Sequence, residues 1–268
     1  MRLIKTKWSI ISAVVYPLIV GVILIVLLET GALANMLGCG TRVLPRISSV
    51  IGTFGNIKNL TENVWITLQA ILVGLLIGSI LGYLLAILAA MLPIAGKGGI
   101  TLVTAFNAIP LVALTPIFMK MVKLIDMETE ERCILAKIIV VALVTMSSMS
   151  ITSYRGLTET KPFSDDLLSS YACSKWTVLW KLRIPNSIPS IFTALKIGIP
   201  TAVISAIVAE YFVDSTKGIG KQIKIQIGTL GSYTVGWAYI IVACIMGISL
   251  YAILMIVQSI ILRHRKSS

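Results

Sequence analysis

The sequence has few charged side chains and almost none of the residue types that build catalytic or metal centres. Charged residues make up 13% of the 268 positions and hydrophobic residues 57%, a balance outside the range of soluble domains. One histidine, His264, stands in a basic C-terminal run, and the four cysteines show no C-x-x-C spacing. We therefore expect no metal site, no disulfide framework and no catalytic residues in this chain. The composition indicates a bilayer as the first partner.

Acidic residues are scarce too, since 11 Asp and Glu stand against 23 Lys and Arg, which gives a net charge of +12. The basic residues are scattered between apolar runs and form no stripe with interleaved aromatics, so we do not expect nucleic acid as a partner. Attraction to anionic lipid head groups explains the excess more simply.

The sequence also lacks the G-x-x-x-x-G-K-[ST] motif that holds the phosphates of ATP. The nearest candidate, Gly220-Lys221, has Ser215 in place of the first glycine and Gln222 in place of the hydroxyl that would bind magnesium. We therefore expect this chain to bind neither ATP nor another cofactor.

Long apolar runs, by contrast, are abundant. A spanning helix needs about 20 apolar residues, and the sequence predicts six of them in one all-α membrane domain over residues 1–268. The predicted helices cover 8–28, 63–92, 100–119, 133–152, 191–213 and 236–262. Basic residues flank the first and last runs, so the positive-inside rule places both termini, and the segment 153–190, in the cytoplasm. Ala32-Leu33-Ala34 resembles a secretory cleavage site, but the apolar run before it is longer than such signals use.

Glycine and proline mark two of these helices. Gly74, Gly78 and Gly82 recur every fourth residue, which predicts close packing of another helix on that face. Pro110 and Pro116 each remove a backbone donor from the third predicted helix and should kink it. The kink could line a path through the membrane or serve packing alone.

The polar interruption within 153–190 carries its own helix signal. Ser164, Asp165 and Asp166 favour a helix start, and Pro185 and Pro189 should limit its continuation. An apolar stripe follows at separations near three and four: Leu167, Leu168, Tyr171, Trp176, Leu179 and Leu182. Such a helix could lie in the head-group layer or dock on a protein, and spacing alone does not decide between these two interpretations.

These residues carry a resemblance to the integral membrane subunits of bacterial binding-protein-dependent ABC importers. That family has a cytoplasmic motif E-A-A, three residues, G, nine residues, then I-x-L-P. This sequence keeps the spacing with Asp166-Leu167-Leu168, then Ala172, then Leu182-Arg183-Ile184-Pro185. "YACSKW", "AIVAEYFVDSTKGIGKQI", "VLPRISSVIGTF" and "NAIPLVALTPIF" are similar to signatures of the subgroup that imports sulfonates, taurine and nitrate.

The resemblance implies a type I ABC importer permease fold with a cytoplasmic coupling helix, here 165–183, between helices 4 and 5. It also implies that two copies of a separate ATPase subunit dock on that helix. The implied docking residues are Asp166, Leu167, Leu168, Ser170, Tyr171, Ala172, Cys173, Ser174, Lys175, Trp176, Leu179 and Pro185. We expect Leu168, Tyr171, Trp176 and Leu179 to anchor in the partner. Ala172 replaces the usual glycine, and its methyl group should limit how closely a partner's backbone approaches.

The family precedent further implies a homodimer of this chain in the bacterial inner membrane, supplied by an extracellular substrate-binding protein. A heterodimer of two different membrane subunits is the alternative. The polar candidates for its translocation path are Thr104, Asn107, Thr115, Ser147, Ser148 and Glu210. The hydroxyl groups could instead bond neighbouring helices. Glu210 could instead reach water at its helix end, and Lys137 and Lys196 could snorkel in the same way.

The substrate is expected to be a sulfonate-, nitrate- or taurine-type solute or a vitamin precursor. Ala70 stands where the subgroup often has arginine, which favours a weakly charged or neutral nutrient. An ion-coupled secondary transporter is the alternative, but such a protein needs titratable groups near the midplane, and the sequence offers only Glu210.

Overall fold

The computed structural model describes residues 2–106, 111–160, 163–228 and 233–263. Throughout these ranges the regular secondary structure is helical, without a strand, so the predicted all-α class is confirmed. The chain forms two compact units, Met1–Leu60 with Gln222–Ile241 and Thr61–Lys221 with Val242–Ser268.

The first unit holds the N-terminal helices. These are α1 (Arg2–Thr30), α2 (Ala32–Met36), α3 (Gly40–Val43) and α4 (Ile47–Thr53). The carboxylate of Glu29 accepts a hydrogen bond from the amide of Ser48 at 3.1 Å, which ties α4 to the end of α1. The indole of Trp237 donates to the carbonyl of Val43 at 3.0 Å.

The second unit contains most of the long helices. They are α5 (Leu60–Met91), α6 (Pro93–Phe106), α7 (Thr115–Val122), α8 (Thr129–Thr158), α9 (Ser164–Ser170), α10 (Lys175–Val178) and α11 (Ile184–Glu210). Two further helices, α12 (Ile219–Gly228) and α13 (Tyr233–Arg263), each have residues in both units.

By length and composition, four helices of the described residues can cross a membrane: Leu60–Met91, Thr129–Thr158, Lys175–Glu210 and Tyr233–Arg263. They correspond to the second, fourth, fifth and sixth predicted spans. The first predicted span lies within α1, whose described apolar stretch, Leu18–Thr30, is shorter. The total of six spans therefore stays a prediction.

The third predicted span, 100–119, is not one regular helix. α6 ends at Phe106, a 3₁₀ turn covers Leu111–Leu114, and α7 begins at Thr115. Pro116 stands in the first turn of α7, where the amide that proline lacks would have no partner within the helix. Pro110 lies outside the described residues.

The recurring glycines of α5 face α8, as their spacing predicts. A Cβ atom built on Gly74 would lie 2.7 Å from the side chain of Val141, and Gly78 and Gly82 also leave no room for one. Thr145 donates to the carbonyl of Gly74 across this contact at 3.4 Å. The two helices therefore approach at a distance that only glycine permits.

Candidate functional site

The predicted docking segment begins where the sequence places it. α9 starts at Ser164, and Asp165 and Asp166 lie in its first turn, where negative charge interacts favourably with the helix dipole. The residue before the helix is Phe163, which has a left-handed backbone (φ 64°) and provides no side-chain cap.

The segment is two helices joined by a tight turn, so the prediction of one helix over 165–183 is wrong. α9 ends at Ser170, and the amide of Ala172 bonds the carbonyl of Ser169 at 2.9 Å while that of Cys173 bonds Leu168 at 3.1 Å. This pair of bonds is a Schellman motif, in which the residue after the cap is left-handed. Ala172 occupies that position with φ 51°.

The conformation of Ala172 gives a second reason for the glycine that the family usually has at this position. A left-handed residue with a Cβ atom costs roughly 1 kcal/mol relative to glycine. Glycine therefore suits the turn itself, whatever the approach of a partner.

A second helix follows at once and does not stop at the prolines. The hydroxyl of Ser174 caps α10 by accepting from the amide of Thr177 at 3.2 Å. A π-helical turn, Leu179–Arg183, then leads into α11, which contains Pro189 in its interior and Pro185 in its first turn. The prediction that these prolines limit the helix is wrong. Pro185 has no amide hydrogen to donate, and the π turn before it changes the hydrogen-bond register at that point, so the helix continues.

Most of the predicted docking residues present a free surface within this chain. Leu167 is 59% exposed, Tyr171 74% and Trp176 60%. The smaller and polar members Asp166, Ser170, Ala172, Ser174 and Lys175 are exposed as well, whereas Leu168, Cys173 and Pro185 are half-buried.

Leu179 differs from the other predicted anchors. It is 2% exposed and packs in a core with Ala86, Ala90 and Leu157. Its side chain joins the segment to α5 and α8 and therefore offers no surface to a partner. Trp180, which the sequence reasoning passed over, is 64% exposed beside it.

Polar contacts fix the segment to the long helices. The guanidinium of Arg183 donates to the carbonyl of Ala90 at 2.9 Å, at the C-terminal end of α5, where cations interact favourably with a helix. Asn186 donates to the carbonyls of Gly156 and Glu159 at 3.0 Å each, at the end of α8. The sequence reasoning assigned no role to either residue, although Arg183, a basic residue two positions before the motif's proline, was a usable signal.

The candidate path residues do not form one group. Thr104 is exposed and bonds the carbonyl of Ile100 in its own helix, and Ser148 bonds Val144 in the same way. Ser147 is buried and donates to the carbonyl of Val103 in α6 at 3.4 Å, which agrees with the alternative of helix-to-helix bonding. Thr115 is fully buried, and Asn107 lies outside the described residues.

Glu210 is fully buried and paired, so the expectations that Glu210 and Lys137 reach water are wrong. The ammonium group of Lys137 lies 3.0 Å from the Glu210 carboxylate, and both side chains have 0% exposure. Thr67 donates to the same carboxylate at 2.8 Å, and the amide of Gly220 donates at 2.6 Å. The ion pair thus joins α5, α8, α11 and the start of α12, a convergence that no local pattern in the sequence indicates.

The same network holds the turn between α11 and α12. The amide of Gly218 bonds Asn63 at 2.9 Å, and that of Ile219 bonds Thr67 at 2.9 Å. Gly218 has φ 111°, and a Cβ atom there would lie 2.6 Å from the carboxyl carbon of Glu210. On the surface of the turn, a hydrogen bond to Glu62 at 2.8 Å raises the pKa of Lys217.

The described residues contain no cluster of His, Cys, Asp or Glu that could hold a metal ion. The site is thus a protein surface on 164–185 and a buried ion pair at the other end of α11. Neither contains groups arranged for chemical catalysis.

Residues 78–267, which include the whole docking segment and α13, match the family described as "Binding-protein-dependent transport system inner membrane component". The chain belongs to this family. Permease subunits of this family have no ATPase site of their own, which agrees with the missing phosphate-binding motif.

The chain is also similar to individual proteins. The chain is 28% identical over 168 residues to the "Formylaminopyrimidine transport permease protein ThiX" of Halalkalibacterium halodurans, an alignment covering 62% of each protein. The chain thus spans about three fifths of the length of that relative. A crystal structure of an amino acid ABC transporter with histidines aligns with a TM-score of 0.50 at 17% identity, over 79% of this chain and 93% of that one. This second likeness supports the permease fold alone.

Proposed function

We propose that this inner membrane component forms the translocation path of an ATP-driven importer and is coupled to separate ATPase subunits through the surface of 164–185. The observation that supports the coupling is the exposure of Leu167, Tyr171 and Trp176 on a segment whose base is fixed by Leu179 and Arg183. Large apolar side chains that project from a firmly packed segment are typical of interface anchors. Because the segment continues into α11, a displacement of the docked partner would be transmitted to a membrane-crossing helix.

The assembly follows from this role. Two copies of the chain would enclose the path, two ATPase subunits would bind ATP and Mg²⁺, and an extracellular binding protein would deliver the solute at the opposite face. In this arrangement both termini and 164–185 lie in the cytoplasm. ATP-driven closure of the partners would then shift the population between inward-facing and outward-facing states.

For the substrate we propose a neutral or weakly charged heterocycle of the pyrimidine vitamin-precursor type. The name of the relative in Halalkalibacterium halodurans supports this class. The structure agrees with a weakly charged solute, because Lys137, a fully buried cation, is neutralised by Glu210 and does not offer its charge to an anion. That pairing also weakens the ion-coupled alternative, since Glu210 is not a solitary titratable group.

The test is ATP hydrolysis by the importer assembled from this chain and the products of its neighbouring genes. We expect hydrolysis to depend on this chain and to rise with the loaded binding protein. Tyr171→Asp should uncouple hydrolysis from transport, because it places a charge in an apolar contact, whereas Tyr171→Phe keeps the ring and should keep coupling. Unchanged transport by Tyr171→Asp would refute docking at this surface. Tight binding of a sulfonate, and not of a formylaminopyrimidine, by the binding protein would refute the substrate class.

A further inference from the structure

A groove lies between α11 and α13 within the second unit. It encloses about 550 Å³ and is lined by Lys196, Met255, Gln258, Ser259, Leu262 and Arg263. The floor is supported by an apolar cluster in which Phe192 and Ile199 of α11 pack against Leu254 of α13. The groove is therefore a feature of firmly packed helices.

The groove is basic and contains no acidic side chain. Within the described part of the chain, Lys196 and Arg263 form no ion pair and no hydrogen bond. The side-chain oxygen of Gln258 is buried, and no group among the described residues bonds it. Lys196, Arg263 and the Gln258 amide thus line one groove, where nothing in the described chain neutralises the two cations.

The surroundings of the groove are apolar and face outwards. Only 17% of the most apolar window of α13 is buried within the chain. Met255, Ile256 and Ile260, on the turns beside Gln258 and Ser259, are 41%, 61% and 62% exposed. A ligand held in the groove by its charge would therefore have acyl-chain surface next to it on α13.

We propose that this groove binds the head group of an anionic phospholipid. Lys196 and Arg263 hold the phosphate group, the amide of Gln258 donates to it, and the acyl chains lie along the exposed residues of α13. Arg263 is the last residue of α13, where a long basic side chain reaches the head-group level in this way, and basic grooves between spanning helices suit acidic lipids. The choice of the cytoplasmic leaflet rests on the proposed function, since the proposed orientation places the groove on the cytoplasmic side.

The competing occupant is the transported solute on its way out. A neutral heterocycle would leave both cations without a counter-charge, whereas a phosphate group would neutralise them. The exposed apolar residues of α13 beside the groove, Met255, Ile256 and Ile260, would also have no contact to make with a small polar solute. Both features favour the lipid.

The experiment is native mass spectrometry of the purified, delipidated full chain titrated with phosphatidylglycerol or with phosphatidylcholine of the same acyl chains. We expect a preference for phosphatidylglycerol that the double variant Lys196→Gln, Arg263→Gln abolishes. The loss should be roughly twenty-five-fold in affinity, since each cation near a membrane surface contributes about five-fold. The matched control is Lys58→Gln, Lys120→Gln, which removes the same charge from exposed positions outside the groove and should retain the preference.

One further variant and two competition measurements test whether charge holds the lipid and whether a soluble compound competes for the groove. Arg263→Lys keeps the charge and should keep the affinity, which attributes the contribution of position 263 to its charge. Excess inorganic phosphate should not displace the lipid, and neither should a formylaminopyrimidine. Equal binding of both lipids, an equal loss in the control variant, or displacement by either soluble compound would overturn the proposal. The titration needs no ATPase subunit, so a failure of the proposed coupling would be seen in hydrolysis while this result stands independently.

Discussion

Replacing Lys137 by methionine tests whether the buried ion pair holds the turn between α11 and α12. The substitution keeps most of the side-chain volume and leaves the Glu210 carboxylate, 0% exposed, without the ammonium group that lies 3.0 Å away. Removing one partner of a buried pair costs about 3–5 kcal/mol, because the remaining charge stays desolvated. Thr67 and the amide of Gly220 still bond the carboxylate and offset only part of that loss.

The structure provides a matched control for this change. Lys123 lies 3.1 Å from Asp214, but its side chain is 53% exposed and that of Asp214 63%. Exposed pairs contribute at most about 1 kcal/mol, so Lys123→Met should change stability little. The two variants lose the same kind of contact at the same distance and differ in burial.

Thermal unfolding in detergent and amide hydrogen exchange measure the two consequences. We expect Lys137→Met to lower Tm by on the order of 10 °C and to raise exchange at the amides of Ile219 and Gly220, which the network holds. The double variant Lys137→Met, Glu210→Leu should recover much of the loss in Tm, because no charge is left buried. Equal Tm values for Lys137→Met and Lys123→Met would refute the reasoning.

Three further substitutions have defined outcomes. Ala172→Gly should raise the free energy of unfolding of the α9 turn by about 0.5–1 kcal/mol, since glycine adopts φ 51° without a Cβ penalty, and slower proteolysis between α9 and α10 would show it. Gly78→Leu should separate α5 from α8 at Thr145, and a lower yield of folded chain in size-exclusion chromatography checks this. Gly218→Ala should destabilise the turn between α11 and α12, because position 218 has φ 111° and a Cβ atom there would meet Glu210, and faster amide exchange at Gly220 would show it. Wild-type values would contradict each of these three expectations.

The helical architecture was predictable because the length of an apolar run and the spacing of glycines can be read from a short stretch of sequence. The span at Leu60–Met91 follows from an uninterrupted apolar run, and the approach of α8 to Gly74 and Gly78 follows from the four-residue period. The break in the third predicted span was harder, because Pro116 is as compatible with a helix start as with a kink.

The docking segment was predictable in position and less so in shape. Ser164 and the acidic first turn indicated the helix start, but the left-handed turn at Ala172 has no glycine to announce it. An apolar stripe also does not say which of its members the chain itself buries. Leu179 faces Ala86 and Ala90, whereas Trp176 three residues earlier stays exposed, and only the packing of α5 decides this.

The buried pair lay beyond sequence reasoning for a different reason. Lys137 and Glu210 are 73 residues apart and lie near helix ends, where a charged side chain would ordinarily reach water. Their meeting depends on how α8 and α11 pack, and the bonds from Thr67 and Gly220 depend on two further elements.

The central claim is that the exposed face of 164–185 is held by an ATPase subunit. A photo-crosslinking amino acid placed at Trp176 in the assembled importer tests it, with the same substitution at Trp65, an equally exposed tryptophan near the opposite end of α5, as the control. The account predicts a covalent adduct with the ATPase subunit from position 176 and none from position 65. Adducts with phospholipid alone at position 176 would contradict it.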